Sequence, residues 1–177
     1  LNYKLCVPCL LGLEGPIADE LKRLNMANVS SENGRVYFDG SAEDLIRANI
    51  NLRVGERVLV EVGRFHAETF DELFEKTKAL PWEAYLPKDA KFPVKGHSLN
   101  SKLFSVSDCQ AIIKKAVVER LKQKYSIEWF PETGALYQLQ FAIMKDSVSL
   151  CIDTTGDGLH KRGYRPAHNE APLKETM

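Results

Sequence analysis

No stretch of this sequence approaches the roughly 20 consecutive apolar residues that a membrane-spanning helix needs. The first residues, Leu1-Asn-Tyr-Lys-Leu-Cys6, have neither the charged start nor the long apolar middle of a secretory leader. Cysteine is scarce: four in 177 residues are too few and too scattered for a disulfide scaffold. Net charge is nil, 24 Lys and Arg against 24 Asp and Glu, so no single-sign field marks the whole chain. Familiar chemical signatures are missing too. There is no G-x-x-x-x-G-K-[ST] loop, no H-E-x-x-H, no calcium loop and no G-x-S-x-G elbow. No fixed-period repeat or low-complexity tract appears. These absences lead us to expect a soluble cytoplasmic protein without a metal. The lack of Met at position 1 suggests a piece trimmed from a longer chain.

What is present is an apolar fraction of 44% with 27% charged residues, ordinary for a globular fold of one domain or two small ones. The first 66 residues alternate in type. Tyr3 to Cys9 reads as a buried strand, and Ile17, Ala18, Leu21 and Leu24 recur at helical spacing. Val29–Ser31 and Arg35–Asp39 flank Asn33-Gly34, a tight-turn pair. Ser41-Ala-Glu-Asp44 is a helix start whose hydroxyl can accept a first-turn amide, and that helix is expected to bury Leu45, Ile46, Ala48 and Leu52. Arg57 to Phe65 alternates as a final strand. The order βαββαβ is that of a ferredoxin-like unit, which by itself says nothing of function.

The second half predicts a helix from Thr69 to Leu80, a short strand from Phe92 to His97, a polar loop from Ser98 to Lys102, and a long helix from Val106 to Lys124. Ser105 or Ser107 is placed to cap that helix. Its apolar arc holds Val106, Cys109, Ile113, Ala116, Val117 and Leu121, with Arg120 inside the arc and obliged to reach out along its stem. Two strands, Leu136–Lys145 and Ser147–Asp153, flank a turn at Asp146. A helix is expected to start at Glu170.

Charge divides unevenly. Residues 1–90 carry 11 Lys and Arg against 15 Asp and Glu, whereas residues 91–177 carry 13 against 9. Such a split points weakly to a polyanion partner for the second half, with a solvated helix face as the plain alternative. Cys6-Val-Pro-Cys9 has the spacing of redox and zinc sites. In a strand, though, positions three apart face opposite ways, so a structural role is expected and a thiol-redox protein is the weaker alternative.

The densest signal is Asp153-Thr-Thr-Gly156-Asp-Gly158-Leu-His160-Lys161-Arg162-Gly163-Tyr164-Arg165. A strand feeds glycines, and cations then surround one aromatic, as phosphate contacts and a stacked base require. We expect a glycine-turned, RNA-contacting hairpin here; a cofactor loop would need a helix to open directly after the glycines.

With Glu170-Ala-Pro-Leu-Lys-Glu-Thr176 behind it, this run resembles the segment joining a THUMP RNA-binding module to its catalytic domain in bacterial large-subunit (23S) ribosomal RNA guanine-N2-methyltransferases. Phe92-Pro-Val-Lys95, Ser98-Leu-Asn-Ser101-Lys102-Leu-Phe104-Ser105 and Asp108-Cys-Gln-Ala-Ile-Ile-Lys114-Lys115 are similar to the centre of that module. Leu10-Leu-Gly-Leu-Glu-Gly15 and Glu43-Asp-Leu-Ile-Arg-Ala-Asn49 are similar to the small domain preceding it. Thr155 departs from the expected Ser but keeps the hydroxyl.

The resemblance implies an α+β chain: a ferredoxin-like domain over 1–66, a THUMP domain over 67–165, and over 166–177 the first turn of a methyltransferase domain that is absent. No N-P-P-Y-type or D-P-P-Y-type motif occurs, so no residue is assigned a catalytic role and no cofactor is expected in this chain. The parent would use S-adenosylmethionine. The implied RNA contacts are Lys95, Lys102, Lys114, Lys115, His160, Lys161, Arg162, Tyr164 and Arg165, and the implied partner is structured RNA, in the first place large-subunit ribosomal RNA. A stand-alone RNA-binding or assembly protein, or the RNA-binding part of a tRNA-modifying enzyme, remain as alternatives.

Overall fold

A computed structural model describes residues 2–32, 34–161 and 163. The helix expected to start at Glu170 lies outside the described residues. The chain divides into two compact units: residues through Val60 together with the described residues from Asp153 on, and Glu61–Ile152.

The first unit runs β1 (Tyr3–Pro8), α1 (Glu14–Arg23), β2 (Ala27–Glu32), β3 (Arg35–Gly40), α2 (Ala42–Asn51) and the start of β4 (Leu59–His66). Its strands lie in the order β2-β3-β1-β4, antiparallel throughout. This is the expected ferredoxin-like βαββαβ arrangement. Helix α1 buries Ile17, Ala18 and Leu21, and β1 sets Leu5 and Val7 opposite Phe38 and Val36. Helix α2 starts as its sequence requires: Ser41 accepts the Asp44 amide at 3.2 Å, and the Asp44 carboxylate accepts the Ser41 amide at 3.0 Å. That reciprocal cap holds the Asp44 carboxyl below its ordinary range, chiefly through the Ser41 amide. One expectation fails: Ile46 is 57% exposed. Ala48 and Leu52 provide the buried contacts of α2, and their side of the helix excludes Ile46.

The second unit continues β4 into α3 (Phe70–Ala79), a 3-10 turn (Trp82–Ala84), β5 (Val94–Leu99), α4 (Val106–Tyr125), β6 (Leu139–Met144) and β7 (Ser147–Asp153). Its strand order is β4-β7-β6-β5. Strands β5 and β6 are parallel, joined through α4 as parallel neighbours require. The core gathers Leu73, Trp82, Phe92, Ile113, Phe141 and Leu150, among others, between the helices and one face of these strands. Thr69 caps α3 by accepting the Glu72 amide at 3.2 Å. Trp82 is wholly buried, and its indole N–H donates to the Thr77 carbonyl at 2.7 Å, the partner a buried indole needs.

Three local expectations need correction. Strand β5 begins at Val94 and runs on to Leu99, because its backbone stays in parallel register with β6 as far as Met144; the expected strand from Phe92 and loop from Ser98 are displaced accordingly. Strand β6 is confined to Leu139–Met144, and Lys145 already has φ of 49° in the turn. Ser105 does occupy the cap position of α4 but makes no capping bond; its hydroxyl lies 3.4 Å from that of Ser107. Arg120 does reach out of the apolar arc, and it finds Glu83 through two bonds of 2.9 and 2.6 Å.

Candidate nucleic-acid interface

The Asp153 run and the lysines between 95 and 115 carry the expected contacts, and the structure treats them differently. At the end of β7 the Asp153 carboxylate, 2% exposed, takes the Arg57 guanidinium at 2.5 Å. The same guanidinium donates to the Gly156 carbonyl at 2.7 Å. The Thr154 hydroxyl donates to the Val58 carbonyl at 2.7 Å. Thr155 Oγ1 accepts the Val58 amide at 2.8 Å and donates to Asn49 Oδ1 at 2.7 Å. The Leu159 amide donates to the Glu56 carbonyl at 2.9 Å, and its side chain is buried. Gly156, at φ of 71°, supplies the turn at no Cβ cost.

The run is therefore fastened to α2 and to residues 56–58 of its own unit. The glycines do turn the chain, but the next element is a 3-10 turn, Leu159–Lys161, and not a hairpin strand. Of the side chains expected near RNA in this run, His160 and Lys161 are described. His160 is half-buried, with Gly158 so close that a Cβ there would lie 2.7 Å from the imidazole. Its Nδ1 is buried and finds no partner among the described residues. Lys161 is exposed and reaches Asp157 at 3.4 Å. Arg162, Tyr164 and Arg165 lie outside the described residues.

The four lysines of the second unit are not brought together. Lys102 bonds Glu68, whose carboxyl is held below its ordinary range first by that hydrogen bond. Its loop is pinned by the Lys102 amide donating to Asp146 at 2.7 Å. Lys114 pairs with Glu132 at 2.8 Å and stands 5.5 Å from the centre of the Phe92 ring. Lys115 stands 5.7 Å from the centre of the Phe74 ring, on the α3 side. Both lie on α4, which covers the core face of the sheet. Lys95 sits on β5, where it alternates with the core-packed Val94, so it belongs to the opposite face. A single cationic patch of these four is thus excluded.

Lys91, Lys95 and His97 are at even spacing in an extended run, so all three share one face. As for the thiols, Cys6 is buried in β1 and Cys9 is half-buried beyond its end. Burial first, and Glu14 second, push the Cys9 thiol up to about 11. Such a thiol stays protonated at neutral pH, the reverse of what redox chemistry requires.

Taken together, a ferredoxin-like βαββαβ unit followed by a unit with a parallel βαβ crossover defines an α+β chain of two small domains. Comparison with known proteins gives the particulars. Residues 4–59 match the RlmL ferredoxin-like domain, and residues 67–153 match the THUMP domain. The chain is 45% identical over 178 residues to the "Putative RNA methyltransferase YpsC" of Bacillus subtilis, covering 99% of itself and 46% of that protein. It is 33% identical over 170 residues to the "Ribosomal RNA large subunit methyltransferase K/L" of Syntrophotalea carbinolica, covering 94% of itself and 23% of that protein.

Two crystal structures superpose on 99% of the chain. One, of "a predicted N6-adenine-specific DNA methylase from Listeria monocytogenes", is 54% identical with a TM-score of 0.94, and 46% of it is covered. The other, "SMU.472, a putative methyltransferase complexed with SAH", is 39% identical with a TM-score of 0.92, and 46% of it is covered. The chain is made of an RlmL-type ferredoxin-like domain and a THUMP domain, and it corresponds to the N-terminal part of relatives named as methyltransferases. It spans about half the length of YpsC and under a quarter of the K/L protein.

Proposed function

We propose that this chain is the RNA-capturing N-terminal portion of an S-adenosylmethionine-dependent RNA methyltransferase, acting on the N2 amine of a guanine in 23S ribosomal RNA. The observation that carries the reading is the THUMP domain at 67–153 within a chain that is similar, nearly end to end, to RNA methyltransferases. The large-subunit substrate is favoured by the K/L relatives, and the methyl donor by the related structure that holds SAH, the donor's demethylated product. In this reading the ferredoxin-like domain (1–66) and the THUMP domain (67–165) hold the RNA in the cytoplasm. Residues 166–177 lead into the catalytic part, and methyl transfer lies wholly outside this chain.

Two measurements test it. The 177-residue chain should bind 23S rRNA fragments, with log affinity falling against log salt by about 0.7–0.9 for each phosphate neutralised. The full-length protein, given labelled S-adenosylmethionine, should label 23S rRNA at guanine N2, whereas the 177-residue chain alone labels nothing. Because one relative is described as an adenine-specific DNA methylase, DNA and tRNA are assayed beside the rRNA. Label on adenine, on DNA or on tRNA in preference to 23S rRNA overturns the substrate assignment.

A further inference from the structure

Side chains of the second unit's strands divide between two faces. Leu139, Phe141 and Ile143 of β6 point into the core beneath α3 and α4. On the other face the parallel register sets Lys95 beside Gln140, His97 beside Ala142, and Leu99 beside Met144. An isolated parallel bridge between Lys91 and Leu136 carries the same register back three residues beyond the Val94–Leu139 pair. Lys91, Lys95 and His97 are exposed. So are three large apolar side chains among them: Leu136 at 64%, Leu99 at 54% and Met144 at 41%. Strand β5 is the end strand of its sheet, so no further strand obstructs this side.

On the helical side Lys114 is neutralised by Glu132, Lys78 of α3 lies 3.4 Å from Glu119, and Lys115 stands against the Phe74 ring; Lys102, in the loop after β5, is held by Glu68. Lys91 and Lys95 have no carboxylate partner among the described residues. Unneutralised ammonium groups supply the counterion release that drives RNA binding, and an exposed apolar patch rimmed by polar groups marks an interaction site. Lys91 and Lys95, four residues apart in an extended run, are about 13 Å apart, on the scale of two nucleotide steps. An imidazole beside them gives a base an aromatic face.

We propose that RNA lies along the exposed β5 edge of the second unit, its phosphates on Lys91 and Lys95 and its bases over His97, Leu136, Leu99 and Met144. The helical face with Lys114 and Lys115 is then not the interface. This inference rests on the RNA-binding reading above and adds to it the surface that does the binding.

The test uses the 177-residue chain and a fluorescein-labelled RNA hairpin with a single-stranded loop. Wild-type binding checks the RNA reading itself; its absence overturns that reading and this inference with it. If wild type binds, K91A/K95A should weaken affinity at least about five-fold and reduce the salt slope by about 1.4–1.8, two phosphates' worth. K114A/K115A should change affinity less than about two-fold. Acetylation footprinting of the unmutated chain gives a second reading: RNA should protect Lys91 and Lys95 and leave Lys115 reactive. The reverse pattern in either experiment overturns the proposal. So does an unchanged affinity in K91A/K95A, which would leave this edge for a protein partner added as a further strand.

Discussion

Thr155 and Asn49 are 106 residues apart in sequence, yet the Thr155 hydroxyl donates to Asn49 Oδ1 at 2.7 Å while accepting the Val58 amide at 2.8 Å. One side-chain oxygen thereby ties the segment after β7 to helix α2 and to the residue that leads into β4. Thr155→Val keeps the shape and removes both bonds, leaving the part-buried Val58 amide unsatisfied. That should cost about 1–3 kcal/mol, read as a lowered urea midpoint. Thr155→Ser, which restores the oxygen, should recover most of it. Equal midpoints for the Val and Ser variants would show that the hydroxyl is idle.

The neighbouring ion pair acts in the same place by a different cause. Asp153 is 2% exposed and Arg57 32%, so removing the guanidinium leaves a carboxylate buried beside Gly156 and Thr155. Arg57→Ala should destabilise the chain by about 1–3 kcal/mol, below the figure for a fully buried pair because Arg57 is partly solvated. Asp153→Asn should cost less, since the amide can still accept from the Thr155 amide, now 2.9 Å from Asp153 Oδ1. A double-mutant cycle in guanidinium chloride measures the coupling. Additive effects of the two changes would remove the pair from the account of how this segment is held.

Local features were legible in the sequence and distant ones were not. The cap at Ser41 and Asp44, the turn after β2 and the buried arc of α4 arise from residues within one or two turns of each other. Ile46 was misplaced because helical spacing identifies an apolar stripe but not its margin. The Asp153 run was the clearest case of partial legibility. Its glycines announced a turn, but the partners of its hydroxyls and carboxylate, Asn49, Val58 and Arg57, lie about a hundred residues upstream. The lysines show the same limit. Spacing puts Lys95 and Lys114 on a strand and a helix, but only the fold sets these on opposite sides of one sheet and brings Glu68 and Glu132 to neutralise two of the expected contacts.

Glu83 gives stability a pH signature. The Arg120 hydrogen bonds, as the leading cause, pull its carboxyl down to about 2 from an ordinary 4.5. A carboxylate depressed on folding stabilises the fold above its unfolded value, and that contribution disappears as pH falls through the folded value. The contribution should be complete above about pH 4.5 and lost by about pH 2. With Glu83 26% and Arg120 22% exposed, its size should be about 1–2 kcal/mol after screening. Glu83→Gln should therefore be less stable than wild type at pH 7, the gap closing between pH 4.5 and 2. Parallel denaturation curves across that range check it; a gap independent of pH would assign the effect to packing.

Gly96 sits at the centre of β5, opposite Phe141 in the parallel register, and faces the core between Lys95 and His97. A Cβ at this position would overlap both the Phe141 ring and its carbonyl. Phe141 is itself 2% exposed and held by its neighbours, so it cannot yield without moving the core. Gly96→Ala should therefore cost about 1–3 kcal/mol by overpacking, although alanine in a strand is ordinarily no worse than glycine. Gly156→Ala is the control. There φ is 71° with open space around the Cα, so only backbone strain of about 1 kcal/mol is expected. The proposed RNA face adds a second readout, because displacing β5 from β6 misaligns Lys95 and His97 against Leu136. Gly96→Ala should weaken hairpin binding even at temperatures where the chain remains folded, whereas Gly156→Ala should leave it unchanged. Equal binding by the two variants, with Gly96→Ala measurably destabilised, would separate the integrity of this strand from the capture of RNA.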